Sequence, residues 1–220
     1  GARERELMLA GVSHDLRTPL TRLRLSLEML GGDAEMSEDM IRDIEHMDAI
    51  LDQFLAFIRD GRDEKPEPLL LDELVRETVA PYNQKEERVC LCLERVPAFP
   101  LRRVSLKRLL VNLLDNALRY GGQNVEVVTS LAGDDSAPYV VLSVLDRGPG
   151  IAPAEMGEIF NPFIRGDRAR GGKGTGLGLA IVKRIAALHG GSVELRNRSG
   201  GGLEARICLP LGLLLPRDAN

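Results

Sequence analysis

The 220-residue chain has no tryptophan, three tyrosines and five phenylalanines, so aromatics make up only 4% of it. Surfaces that stack nucleic-acid bases need aromatic faces, and grooves that follow a phosphate backbone need basic ones. A formal charge of −4 offers no such groove, and nucleic acid is not an expected partner. Cysteine is scarce too. Cys90, Cys92 and Cys208 are too few, and odd in number, for a disulfide framework. No Cys/His set completes a zinc pattern, so they read as small buried residues in a reducing compartment. No apolar run reaches the roughly 18 residues of a membrane helix, no signal peptide is visible, and the apolar stretch 209–215 is short and contains Pro210. The chain reads as soluble and, because it begins inside a helical pattern, as part of something longer. Its 44% apolar and 28% charged content is that of an ordinary globular protein.

What is present begins with periodicity. Leu9, Val12, Leu16, Leu20, Leu23, Leu27 and Leu30 recur at steps of three and four, the spacing of one helix face. His14 lies two residues from both Val12 and Leu16, so at about 100° per residue it points away from that stripe. Asp15 adjoins it, and Thr18 is one turn further on the same side. With an unperturbed pKa near 6.5, histidine is suited to act as a neutral nucleophile at neutral pH. A neighbouring carboxylate can fix which ring nitrogen carries the proton and leave the other lone pair free. Pro19 should bend this helix, and Gly31-Gly32-Asp33 should end it. A second helix is expected after Ser37, with Met40, Ile44, Met47, Leu51, Phe54 and Ile58 on a regular heptad seam. Two such helices cannot bury their apolar faces alone, which predicts a homodimer with a four-helix bundle built from residues 1–60. His46 is assigned no chemistry.

Residues 61–68 are polar and proline-bearing, as a linker would be. Beyond them the pattern mixes helices over 71–79, 105–120 and 180–188 with strands over 89–93, 125–130 and 139–145 and a hairpin over 191–210. Ser105 is the expected N-cap of the long helix, and His189 a dipole partner at the end of the last one. An α+β sandwich follows, with helices on one face of a mixed sheet.

Four stretches of this second part carry polar groups where packing does not ask for them. Asn112 and Asn116 share a helix face, with Arg119 and Tyr120 a turn further on. Neutral carboxamide oxygens suit Mg²⁺, Arg119 can meet a phosphate and Tyr120 can pack on a base or ribose. Polar residues on a buried helix can equally cap neighbouring backbone groups. Asp146-Arg147-Gly148-Pro149-Gly150 follows an apolar strand; a carboxylate there can accept a bond from adenine's exocyclic amine, where guanine presents a carbonyl. The same pattern also occurs as plain turn chemistry. Phe160 and Phe163 can anchor a small, charged segment that has the composition of a mobile loop, in which Arg165 and Lys173 could reach phosphates. Gly174-Thr175-Gly176-Leu177-Gly178-Leu179 then opens a helix whose N–H groups can receive phosphate, although its spacing is neither the Rossmann nor the P-loop fingerprint.

The block Ser13-His14-Asp15-Leu16-Arg17-Thr18-Pro19-Leu20 resembles the phospho-acceptor box of bacterial two-component sensor histidine kinases, and its wording is similar to the EnvZ-type osmosensor group. The four later stretches resemble, in order and spacing, the N, G1, F and G2 boxes of the ATP-binding domain shared by histidine kinases, gyrase-type and Hsp90-type ATPases. The resemblance implies an all-α dimerising hairpin (residues 1–60), a linker (61–68), a catalytic ATP-binding α+β sandwich (69–213) and a tail (214–220). It implies that His14 is phosphorylated from ATP, that Asp15 activates and orients its ring, and that Thr18 serves dephosphorylation of the regulator. Nucleotide would be held by Asn112, Asn116, Arg119, Tyr120, Asp146, Gly148, Gly150, Phe163, Arg165, Lys173, Gly174, Thr175, Gly176, Leu177 and Gly178. Asn116 would hold Mg²⁺ and residues 154–175 would form a lid. The implied partners are a second copy of the chain and the receiver domain of a response regulator. The implied location is the cytoplasmic side of an inner-membrane sensor whose membrane segments lie outside this chain. Two rival functions are an ATP hydrolase of the same superfamily, which would need a Glu base where Asn112 stands, and a silent scaffold with a degenerate nucleotide domain.

Overall fold

The computed structural model describes residues 63–212 except 123, 135, 163 and 165–175, together with helical residues at 20–25, 27–29, 38, 40–42, 44, 45, 47, 48 and 51. His14, Asp15, Thr18, the Pro19 bend, the expected helix ends near 31–37 and the tail lie outside the described residues, as do Phe163, Arg165, Lys173, Gly174 and Thr175. In the N-terminal part, Arg24 pairs with Glu28 at 3.1 Å and with Glu45 of the second helical segment at 3.5 Å. Of the expected seam residues, Ile44 is buried while Met40 and Met47 are exposed in the single chain, as are Leu23 and Leu25. Among the described residues, no helix is long and apolar enough to cross a membrane.

The remainder runs β1 (Glu67–Leu69), α1 (Leu71–Val79), a 3₁₀ turn (Ala80–Asn83), β2 (Val89–Leu93), β3 (Phe99–Leu101), α2 (Arg103–Tyr120), β4 (Val125–Ala132), β5 (Tyr139–Leu145), α3 (Gly178–Leu188), β6 (Ser192–Asn197) and β7 (Leu203–Pro210). Five strands form one sheet in the order β2-β4-β5-β7-β6. β2 and β4 are parallel, joined by a crossover containing α2, and the other pairs are antiparallel. One face of this sheet meets the helices. Val125, Val127, Val140, Leu142, Val144, Ala205, Ile207 and Leu209 alternate along the strands and pack on Leu106, Leu109, Leu110, Leu113 and Leu114 of α2 and on Ile181, Val182 and Ile185 of α3. Each fully buried leucine there contributes roughly 1.5–3 kcal/mol of transfer free energy.

Two sequence expectations are corrected by the sheet's open face and by the start of α2. Cys90 and Cys92 are exposed and Cys208 is half-buried. β2 is an edge strand, and its pleat turns Val89 into the core and both cysteines to the uncovered side. Ser105 is not the N-cap of α2. The helix begins two residues earlier, at Arg103, and Ser105 lies buried in its first turn. The capping group is Glu64, in the stretch read as linker. Its carboxylate accepts the backbone N–H of Val104 at 2.6 Å, that of Ser105 at 3.0 Å, and the Ser105 hydroxyl at 2.6 Å. Within that same stretch, Glu67–Leu69 pair with Phe99–Leu101 as a small separate sheet. Burial by itself would raise the Glu64 pKa, but these hydrogen bonds outweigh it and hold the carboxyl below its ordinary value.

His189 binds α3 to the same helix start. Its Nδ1–H donates to Ile185 O at 2.9 Å, and its Nε2 accepts the Arg102 N–H at 3.0 Å. The ring must be neutral to accept that bond, and burial, aided by the Arg102 charge, depresses its pKa. A charged dipole partner was expected; a neutral docking group stands there instead, because both ring nitrogens are already committed.

Candidate functional site

α2 carries the polar groups of the site on the side that meets the start of α3. The Asn112 Nδ2 donates to Arg108 O at 2.9 Å, one turn back, and its Oδ1 faces the start of α3. A Cβ at Gly178, the first residue of α3, would lie 3.2 Å from Asn112 Oδ1 and 3.7 Å from Asn116 Nδ2. Glycine at this position lets the two helices approach. Leu177 is fully buried and anchors the helix start; as N-cap residue it makes no side-chain hydrogen bond to the first turn of α3. Gly176 adopts φ 72°, which the turn into α3 requires. Asn112, Asn116, Gly176, Leu177 and Gly178 are thus brought together across 66 residues of chain. Arg119 and Tyr120 are exposed at the last turn of α2.

Beyond that turn, Asp146 ends β5. Its carboxylate Oδ1 accepts the Gly148 N–H at 2.8 Å and the Leu203 N–H at 3.1 Å, and its own N–H donates to Leu203 O at 2.9 Å. Oδ2 receives no bond among the described residues. Asp146 is only 7% exposed and is pressed against the end of α2. A Cβ at Gly121 would fall 2.3 Å from the Asp146 Cβ, and one at Gly148 would fall 2.5 Å from Tyr120 O. The turn after β5 and the C-terminus of α2 are therefore in backbone contact, which sets Asp146 beside Gly121 and its turn beside Tyr120. Gly150, at φ 71°, is the second residue of that turn that needs glycine.

Residues the sequence reading passed over complete this corner. From the tip of the β6–β7 hairpin, Arg198 Nη1 donates to Asp146 O at 2.8 Å. Asn197 bonds both backbone groups of Ile151, Oδ1 accepting its N–H at 2.9 Å and Nδ2 donating to its carbonyl at 2.7 Å. The one local signal was the run Gly200-Gly201-Gly202 beside them, which marks a strained turn but names no partner. Phe160, at the near end of the expected lid, is half-buried against the core with Lys183 of α3 5.6 Å above its ring. Asp115, the acidic residue of the same α2 stretch, accepts the Tyr82 hydroxyl at 2.8 Å. Burial and that carboxylate raise the Tyr82 pKa.

Geometry of this kind, a carboxylate at a strand end beside a carboxamide-bearing helix and a glycine-opened helix start, suits a purine nucleoside triphosphate. Residues 102–213 match the family described as histidine kinase-, DNA gyrase B- and HSP90-like ATPase. Residues 4–62 match the His Kinase A (phospho-acceptor) domain. The chain belongs to the bacterial sensor histidine kinases. It is 38% identical over 212 residues to the sensor histidine kinase GtrS of Pseudomonas aeruginosa, covering 96% of this chain and 43% of that protein. Among solved structures it is similar to full-length ShkA in complex with AMPPNP, at TM-score 0.70 and 27% identity over 92% of this chain and 45% of that one. The histidine kinase domain of the Escherichia coli osmosensor EnvZ gives TM-score 0.53 and 34% identity over 70% of this chain and 94% of that one. The chain spans about half the length of the curated sensor kinases it matches. Among the described residues, Asn112 and Asn116 meet Gly178 at the start of α3, and the end of α2 meets the turn after β5 at Asp146.

Among the described residues, no cluster of His, Cys, Asp or Glu could hold a metal ion. The donors that would fit Mg²⁺ at this site are the neutral carboxamides of Asn116 and Asn112, both beside Gly178 at the start of α3. That is the chemistry of an ion held jointly with substrate phosphates rather than by a protein cage.

Proposed function

We propose that this chain is an ATP-dependent protein-histidine kinase core that autophosphorylates His14 and passes the phosphoryl group to an aspartate of a response regulator. The observation that carries the reading is Asp146. Its Oδ1 is fixed by two backbone N–H groups while Oδ2 is left for the exocyclic amine of adenine. Tyr120 would pack beside the base, Arg119 would face phosphate, and the N–H groups at Gly178 would receive phosphate oxygens. Gly150 would allow close approach of backbone to the ring, and Lys173, Arg165, Phe163, Gly174 and Thr175 would belong to the covering lid. Asn116 would hold Mg²⁺, which when bound offsets charge on the phosphates.

In the phosphotransfer step, Asp15 keeps the proton on the proximal ring nitrogen of His14. The distal nitrogen forms a bond to the γ-phosphorus in line as the bond to the β–γ bridging oxygen breaks and ADP leaves. The regulator's carboxylate then displaces the imidazole from phosphorus. Thr18 would serve the reverse task, positioning water for dephosphorylation of the regulator. The exposed Leu23, Met40 and Met47 support burial against a second copy in a four-helix bundle. The parent protein would be an inner-membrane sensor with this portion in the cytoplasm.

An ATP hydrolase on the same fold would need a general base near Asn112. An amide cannot take a proton from water, and the nearby carboxylate of Asp115 is engaged by Tyr82. Labelled ATP supplied to the whole chain, followed by addition of a panel of receiver domains, tests the proposal. Transfer of label from the chain to a receiver aspartate supports it; steady phosphate release with no phosphoprotein would favour the hydrolase.

A further inference from the structure

We propose that Asn197 and Arg198, at the tip of the β6–β7 hairpin, are positioning residues for base recognition by Asp146. The inference rests on the reading of Asp146 as the adenine acceptor and extends it to how the carboxylate is aimed. A carboxylate discriminates adenine from guanine only if its free oxygen lies in the plane of the base and at hydrogen-bonding distance. That position is set by the backbone of the turn 146–151, which follows β5 and whose ladder bonding to β7 ends with the Asp146 N–H on Leu203 O at 2.9 Å. The hairpin also holds the turn through side chains.

Asn197 acts as a one-residue strand, satisfying both the N–H and the carbonyl of Ile151. Arg198 holds the other end of the turn by the Asp146 carbonyl. Its guanidinium is 3.7 Å from Glu126, and its side chain is only 17% exposed. The two clamps lie 46 and 52 residues away in sequence from the groups they hold, and they bracket the turn. Gly150 is shaped to this arrangement, since a Cβ there would fall 2.4 Å from Asn197 Oδ1.

Neither side chain is needed to build the hairpin itself. β6 and β7 pair through backbone from Ser192↔Cys208 to Asn197↔Leu203, and the Arg198 N–H closes the turn onto Gly202 O at 2.9 Å. Asn197 is exposed and buries no apolar group. Truncation of either side chain therefore loosens the turn that carries Asp146 without emptying the core.

The test is calorimetric binding of Mg-ATP and Mg-GTP to the whole chain and to its Asn197→Ala, Arg198→Ala, Arg198→Lys and Asp146→Asn variants, with thermal midpoints alongside. Loss of one or two hydrogen bonds corresponds to about a threefold to tenfold weakening. ATP affinity of each alanine variant should fall by that factor while the weak GTP affinity stays put, so the ATP/GTP ratio narrows. The thermal midpoint should move by less than about 2 °C. Arg198→Lys, which keeps a donor to the Asp146 carbonyl, should regain at least half of the lost ratio. An unchanged ratio in both alanine variants overturns the inference, as does an equal loss for both nucleotides that follows the thermal midpoint. The Asp146→Asn protein separates the two levels. If its ratio collapses while the hairpin variants keep the wild-type ratio, only the clamp is wrong; if its own ratio is unmoved, the adenine reading falls and the clamp with it.

Discussion

Replacing Glu64 by alanine removes the carboxylate that accepts the first backbone N–H groups of α2, and the size of the effect follows bond by bond. Three donors lose their partner: the Val104 and Ser105 N–H groups and the Ser105 hydroxyl, at 2.6–3.0 Å. Loss of a helix N-cap acceptor costs about 1–2 kcal/mol, and loss of a carboxylate at the positive end of the helix dipole adds about 0.5 kcal/mol. A total of about 2 kcal/mol lowers the thermal midpoint of a unit of this size by about 4–8 °C. Glu64→Gln keeps an oxygen acceptor and loses only the charge, so it should lie between the wild type and the alanine variant. The pH dependence has a definite sign. Because the folded-state pKa of Glu64 lies below its ordinary value, the charged cap stabilises fully above about pH 4.5 and its contribution is lost as pH falls through the lower folded value. Thermal unfolding followed by circular dichroism at pH 7 and in acid reads both effects. A midpoint for Glu64→Ala within about 1 °C of wild type at pH 7 would refute the reasoning, as would a gap to Glu64→Gln that fails to close in acid.

Asp146→Asn should weaken Mg-ATP binding by about 10- to 100-fold, the worth of a hydrogen bond to a charged group, and calorimetry that finds wild-type affinity would contradict the site. His189 is held neutral with a depressed pKa, so the unfolded chain takes up the proton first as pH falls below about 6.5. Wild-type stability should accordingly drop between pH 7 and 5, while urea unfolding of His189→Gln should show a flatter profile; parallel profiles would argue against the assignment. Gly202→Ala places a Cβ 2.1 Å from Asp146 O at φ +109°, where strain and displacement together should cost more than about 3 kcal/mol. Urea denaturation with an unmoved midpoint would rule that out.

Much of the α/β part was legible because its signals are local. Leu71–Val79 and Tyr139–Leu145 have the bounds that apolar spacing gave. α2 was legible in its leucines but not in its first turn, since its cap arrives from Glu64, 41 residues away from Ser105. β1 and β3 were missed for a different reason. Each is three residues long, and Pro68 faces Pro100 across the pair, so the composition reads as linker and turn. Cys90 and Cys92 were misread because hydrophobicity does not tell which face of an edge strand is covered. At the site, Asn112, Asn116 and Asp146 stood out through residue type and spacing. Arg198 and Asn197 did not, because their bonds join stretches that only the closed sheet brings together, and nothing in Leu195-Arg196-Asn197-Arg198 points to a distant carbonyl.

The most direct measurement is phosphorylation of the whole chain by γ-labelled ATP, with the label tested for acid lability, in the wild type and in His14→Gln. The account predicts acid-labile, base-stable label on the wild type and none on the variant. Undiminished label on His14→Gln, or a wild type that binds Mg-ATP yet takes up no label, would contradict it.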